Sequence, residues 1–332
     1  MPGCGLVDEN GAKVRVAWLS VASNTTLTAL KLVVGFMIGS VSVMSEAIHS
    51  GVDLLAAVIA LGAVRVSGRP ADEDHPFGHG KFENVSGVVE ALLIFVAAGW
   101  IVFESVRKLR APEEIGNPGW GIAVMAVSAA ANIVVSQMLF RVGRRTDSMA
   151  LLADGWHLRT DVYTSAGVMV GLALLRLGGE LRPDIDLRWL DPVVALGVAA
   201  LILRAAWNLT RQSGRDLFDV SLPTEEEAAI REAIGAQMPE VRGFHHLRTR
   251  KAGAHRYIEF HMMVDAAMHV SAAHELTDRV GAAIRERLAG AYVAIHIEPC
   301  GVNCSPHCQA GCMLPENERP GMEEVTFEDA GG

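Results

Sequence analysis

Residues 41–65 read VSVMSEAIHSGVDLLAAVIALGAVR, an apolar run that carries Glu46, His49 and Asp53 inside it. A helix crosses the hydrocarbon layer of a bilayer with about 20 predominantly apolar residues, so this stretch is long enough to span. Five further segments have spanning length: 14–38, 84–106, 118–140, 148–176 and 189–208. The segment 118–140, fourth along the chain, contains no charge between Gly119 and Phe140. Gly, Ala and Ser recur through all six, as close helix packing in lipid requires. An α-helical membrane protein with six transmembrane helices is the expectation.

Composition alone would not give this reading. Half of the 332 residues are hydrophobic and the mean hydropathy is +0.27, values close to those of soluble chains. The distribution decides. Apolar residues are massed in the first two thirds, and the last third alternates charge with hydrophobe. The formal net charge of −9 speaks against nucleic acid as a partner, since phosphate binding needs a basic patch. Membrane lipid is the expected surrounding. The N-terminus lacks a cleavable signal pattern.

Basic residues set the orientation. Lys13, Arg15, Arg65, Arg69, Lys81, Arg141, Arg144, Arg145, Arg211 and Arg215 fall on one side, against Arg107, Lys108, Arg110, Arg182 and Arg188 on the other. The excess places both termini in the cytoplasm. A multi-pass protein of the cell inner (plasma) membrane is expected.

From about residue 220 the pattern is that of a soluble domain. Thr224 and Glu227 form a capping-box signature opening a helix to about Met238. Residues 243–251 and 255–265 read as strands around a turn at Ala252-Gly253, followed by a helix over 271–288 and a strand over 292–299. The order is αββαβ, a small cytoplasmic α+β domain. Four segments result: a cytoplasmic N-terminal segment 1–12, a membrane domain 13–212, the α+β domain 213–300, and a tail 301–332 expected to be disordered. That last stretch, with the residue before it, holds four of the five cysteines, Cys300, Cys304, Cys308 and Cys312, with His307 between them. Such spacing fits metal binding or free thiols better than a disulfide framework.

His49-Ser-Gly-Val-Asp53 and His157-Leu-Arg-Thr-Asp161 repeat one motif, H-x-x-x-D, in two separate spans. Spacing of i, i+4 puts both side chains of each motif on one helix face. Two such faces meeting offer two imidazoles and two carboxylates, a four-coordinate set suited to Zn²⁺. Harder ions such as Mg²⁺ or Ca²⁺ prefer all-oxygen shells. Polar pairing between helices is the plainer alternative, but ionisable groups in a membrane interior are costly and mark ion or proton paths. Asp154 and Glu46, each three residues before a motif His, could extend the site or support its ligands; they are read as lining the approach or pairing with Arg159 and are left out of the ligand set. Lys31 and Glu90 are read as helix-packing polar groups or as residues snorkelling to an interface. In the second–third loop, Asp72, His75 and His79 can close on one ion. In the soluble domain His245, His246, His261, His274, His296 and Glu298 stand out; His296 and Glu298 are two apart on a strand and share a face.

The two H-x-x-x-D motifs, the loop RPADEDHPFGHGKFE and the strands GFHHLRTR and HIEPC together resemble the cation diffusion facilitator family, over residues 12–300. The resemblance implies a six-helix membrane domain with a metallochaperone-like (ferredoxin-like) cytoplasmic domain, working as a homodimer. It implies export of divalent metal ions from the cytoplasm, with protons as counter-ion, by alternating access. By position, His49, Asp53, His157 and Asp161 resemble the transport site, and Asp72, His75 and His79 a loop site. His245, His261, His274, His296 and Glu298 resemble a regulatory metal cluster at the dimer interface. Lys81 and Asp219 match an inter-subunit charge interlock. His49 stands where some members have Asp, which favours Zn²⁺. Glu298 stands where an Asp bridges two ions, which implies a different ion number or geometry. An exporter of Fe²⁺, Cd²⁺, Co²⁺ or Ni²⁺ is the alternative within the family. A membrane metal sensor and an intramembrane zinc enzyme are the alternatives outside it, the enzyme disfavoured by the absence of H-E-x-x-H.

Overall fold

The structure is a computed structural model, and it describes residues 4–38, 41–110, 119–163, 166, 189–301, 303–304, 308, 310–316, 319 and 321–322. The chain divides into two compact units, Met1–Leu217 and Phe218–Gly332.

Six helices are described in the first unit: α1 Cys4–Ile38, α2 Val41–Ser67, α3 Lys81–Arg110, α4 Gly119–Arg145, α5 over 149–163 and α6 Leu190–Leu217. Of the fifth expected span, residues 164–165 and 167–176 lie outside the described residues. α1 begins well before the first expected span, because nothing in residues 4–13 stops a helix: Gly11 costs about 1 kcal/mol and no proline intervenes. α1 packs on α2 and α4, and α3 packs on α6 and α2.

α5 joins these groups. Its Ala150, Leu151 and Leu158 sit in a cluster with Val16 and Ala17 of α1, Leu61 and Val64 of α2, and Leu139 of α4. Met149 and Ala153 sit in a second cluster with Ala91, Ile94 and Ala98 of α3 and Ile202 and Ala206 of α6. The helix carrying the second H-x-x-x-D motif is thus enclosed on two sides. Small residues contribute to the helix contacts and several large apolar side chains point outward: on α3, Ala91 and Ala98 are fully buried, whereas Val96, Trp100 and Phe103 are exposed. Outward-facing hydrophobes are expected where lipid is the solvent. Among the described residues, α3 over Lys81–Arg107 and α4 over Ala126–Arg145 are long and apolar enough to cross a membrane.

Several buried polar groups in this unit pair across elements. Lys13 of α1 bonds Glu83 of α3 at 3.0 Å, Ser67 of α2 donates to the same carboxylate at 2.7 Å, and Ser148, just before α5, donates to its other oxygen. Lys31 reaches Ser50 at 2.6 Å, so it braces α1 against α2 rather than reaching an interface. Arg159 donates to Ser136 at 3.0 Å and lies over Phe140. Pairing with Asp154, one of the alternatives for that residue, is not among the described contacts of Arg159, and Asp154 is fully buried.

The second unit contains α7 Thr224–Gly235, β1 Gly243–Ala252, β2 His255–Asp265, α8 Val270–Arg287 and β3 Ala291–Cys300. The sheet order is β1-β2-β3, with β1 antiparallel and β3 parallel to β2; α8 supplies the crossover that a parallel neighbour needs. Alternation in β2 sends Ile258, Phe260, Met262 and Val264 into a core with Ile230 and Ile234 of α7 and Leu276, Val280 and Ile284 of α8. Each such side chain contributes about 1.5–3 kcal/mol on full burial. The same alternation presents Tyr257, Glu259, His261 and Met263 on the opposite face.

The capping box does not form. Thr224 is already the first helical residue, and Glu227 accepts instead from Thr249 at 2.9 Å, tying α7 to β1. The described part of the tail also departs from the expected disorder. Gly243 bridges Cys312, Phe244 donates its N–H to the Gly311 carbonyl at 3.1 Å, and Met313 donates to the Arg242 carbonyl at 2.9 Å. A Cβ at Gly311 would stand 1.6 Å from the Phe244 carbonyl oxygen, so only glycine fits there. Cys308 is buried against Met263.

Candidate metal centres

In the first unit, α2 and α5 bring donor atoms of Asp53, His157 and Asp161 within 4.8 Å of one another. His157 Nε2 lies 3.1 Å from Asp53 Oδ1, and both side chains are buried. Asn24 of α1 donates to the Asp53 carbonyl at 3.5 Å, fixing the α2 backbone at the site. His157 Nδ1 is buried without a hydrogen-bond partner among the described residues. A buried imidazole nitrogen in that state, beside two carboxylates, is a fitting ligand for a divalent ion. His49 stands on α2 one turn before Asp53, and its side chain lies outside the described residues. Two further carboxylates are fully buried in the same unit, Glu90 and Asp154; Ser86 donates to Glu90 at 3.0 Å. The sequence reading leaves both outside the site. Asp154 stands three residues before His157 and Glu90 one turn after Ser86, but neither belongs to a motif repeated in a second span.

The loop between α2 and α3 closes a second group, Asp72, His75 and His79. Asp72 Oδ1 lies 3.2 Å from His75 Nδ1, and Asp72 Oδ2 lies 3.3 Å from His79 Nε2. The two imidazole rings are 4.4 Å apart. Two reciprocal bonds shape the turn: the His75 N–H donates to the Asp72 side-chain Oδ1 at 2.7 Å and the Asp72 N–H to the His75 carbonyl at 3.3 Å. Gly78, at φ 78°, then turns the chain so that His79 enters beneath His75. The amide of His75 is the main reason the Asp72 carboxyl is held below the usual carboxylate range, which keeps it an anionic ligand.

The third group lies on the open face of the sheet: His245 of β1, His261 of β2 and Glu298 of β3. Register places His245 opposite His261, and His261 opposite His296. Glu298 accepts at one oxygen from the His245 ring at 3.0 Å and at the other from the His261 ring at 2.7 Å. His296 Nε2 is 3.8 Å from that second oxygen. Burial pushes the Glu298 carboxyl up, and the bonds from His261 and His245 outweigh it, leaving the group below its usual range. His245 Nδ1 is buried without a hydrogen-bond partner among the described residues. Imidazoles around a shared carboxylate fit a zinc-like ion. Within one chain His274 is not part of this group; it is exposed on α8, 3.9 Å from Asp278. His246, which the sequence reading singles out without placing it in the cluster, has its ring 4.7 Å from that of His245 and 5.1 Å from that of His261. Asp219 lies 3.5 Å from Arg250 within the second unit.

A membrane domain with buried His–Asp ligands, followed by a soluble domain with its own imidazole cluster, defines a membrane protein that handles metal cations. Comparison with known proteins is in accord. Residues 17–218 match the cation efflux transmembrane domain, and residues 222–300 match the cation efflux protein cytoplasmic domain. An uncharacterised transporter, sll1263, of Synechocystis sp. is 38% identical over 283 residues, 85% of this chain and 89% of the relative. A cation-efflux pump, FieF, of Serratia proteamaculans is 34% identical over 286 residues, 86% of this chain and 92% of the relative. Among solved structures, the metal-bound C-terminal domain of the CzcD transporter from Thermotoga maritima is 31% identical, with a TM-score of 0.22, covering 24% of this chain and 96% of that one. The chain belongs to the cation diffusion facilitator family. It is a divalent-cation efflux transporter, not an enzyme.

Proposed function

We propose that the protein moves Zn²⁺ out of the cytoplasm in exchange for protons, with His49, Asp53, His157 and Asp161 as the transport site. The observation that carries this reading is the meeting of Asp53 on α2 with His157 and Asp161 on the enclosed α5, donor atoms within 4.8 Å of one another. Imidazole and carboxylate together suit a borderline ion such as Zn²⁺. The same groups bind protons once the ion leaves, so loading with metal and loading with protons exclude each other. Asp72, His75 and His79 form a loop site outside the helix bundle. His245, His261, His296 and Glu298 hold regulatory zinc in a homodimer. The protein lies in the inner membrane with six spans and both termini in the cytoplasm.

In proteoliposomes, an imposed proton gradient drives zinc uptake, and a protonophore abolishes it. Zinc uptake that ignores the gradient would remove the exchange mechanism. Selectivity is read by competing Cd²⁺, Fe²⁺, Co²⁺ and Ni²⁺ against zinc flux, before and after His49→Asp. The substitution weakens the preference for zinc; an unchanged preference would remove His49 as its source.

A further inference from the structure

Strand alternation sends neighbouring side chains to opposite faces, so His245 and His246 should not share one. They do, because β1 is bulged at this point. Its register to β2 runs His245↔His261 and then Arg248↔Glu259, leaving His246 and Leu247 opposite Phe260 alone. His246 takes φ 52°, the left-handed conformation that glycine or asparagine normally supplies at such a bulge. A histidine held there is an outlier of the kind that clusters at functional sites. The bulge brings the His246 ring to 4.7 Å from that of His245 and 5.1 Å from that of His261. Leu247, the other bulge residue, packs on the apolar core instead.

The surrounding donors leave room for it. Glu298 offers one oxygen on the His245 side and the other on the side of His261 and His296. The His245–Glu298 side has, without His246, a single imidazole. We infer that His246 is a direct ligand of a divalent metal ion in the cytoplasmic cluster, placed on the His245 side by the β1 bulge. The inference rests on the reading of that cluster as a metal site, and the test separates the two.

Full-length protein in detergent, with Asp53→Ala, Asp161→Ala and Asp72→Ala in place to silence the other two groups, is titrated with Zn²⁺ and with Co²⁺. His246→Asn removes the imidazole and keeps a residue that tolerates the left-handed backbone. It weakens zinc binding at the cluster by about 10–100-fold or more. His246→Cys, loaded with Co²⁺, gives a thiolate-to-cobalt charge-transfer band beyond that of the parent protein, a readout that a merely structural role would not produce. His261→Ala is the control for the cluster itself. If His261→Ala leaves zinc binding intact, the cluster is not a metal site. If His261→Ala weakens binding while His246→Asn does not, and His246→Cys adds no band, His246 is not a ligand.

Discussion

At the residue scale, the i, i+4 spacing of the two H-x-x-x-D motifs is read directly from sequence, because a helix fixes which side chains share a face. The fate of His246 is not legible in the same way. The period of a strand predicts the wrong side for it, and only the register shift at His245–Arg248 corrects this. Holding a non-glycine residue in the left-handed region costs about 1–2 kcal/mol. His246→Gly therefore stabilises metal-free protein in chelator by about 1 kcal/mol, measured by chemical denaturation of the second unit. A fall in stability would mean that the imidazole serves packing. Asp154 and Glu90 mark the other limit of sequence reading: both lie on apolar helices, and only the three-dimensional packing shows them fully buried.

At the element scale, helix and strand positions follow from hydrophobic periodicity, and their ends follow from contacts that periodicity does not contain. The Thr224–Glu227 capping signature is overridden because Thr249 on a neighbouring strand claims the Glu227 carboxylate. In the first unit one carboxylate, Glu83, gathers Lys13, Ser67 and Ser148, so three helices and the α4–α5 link meet on a single buried charge. Removing it with Glu83→Ala leaves Lys13 buried without its anion, at a cost of about 3–5 kcal/mol. A drop in the thermal stability of the detergent-solubilised protein checks this; an unchanged melting temperature would show the pair to be solvated. The tail has no period at all, and its attachment to β1 depends on Gly311, where a Cβ would collide with the Phe244 carbonyl oxygen. Gly311→Ala detaches the strand, and the buried Cys308 then reacts faster with a water-soluble alkylating reagent. Unaltered reactivity would show that the pairing of Gly243 with Cys312 does not hold the tail down.

For the whole molecule, the shift from apolar runs to alternating pattern near residue 220 gives the two units, and the structure divides the chain at Leu217 and Phe218. The three ligand groups were legible to different depths. The loop trio is compact in sequence. The membrane group needed two distant motifs to meet, and α5 supplies that by being enclosed between α1, α2 and α4 on one side and α3 and α6 on the other. The cytoplasmic group needed strand register, which only the paired sheet provides. The proposed efflux path runs through the membrane group, whose donor atoms meet between α2 and α5. The most direct measurement is zinc flux with simultaneous proton flux in proteoliposomes, comparing the parent protein with Asp53→Ala and Asp161→Ala. Opposed zinc and proton movement in the parent, with both lost in each variant, is the expected result. Zinc movement that survives either substitution would contradict the assignment of Asp53, His157 and Asp161 as the site through which the ion passes.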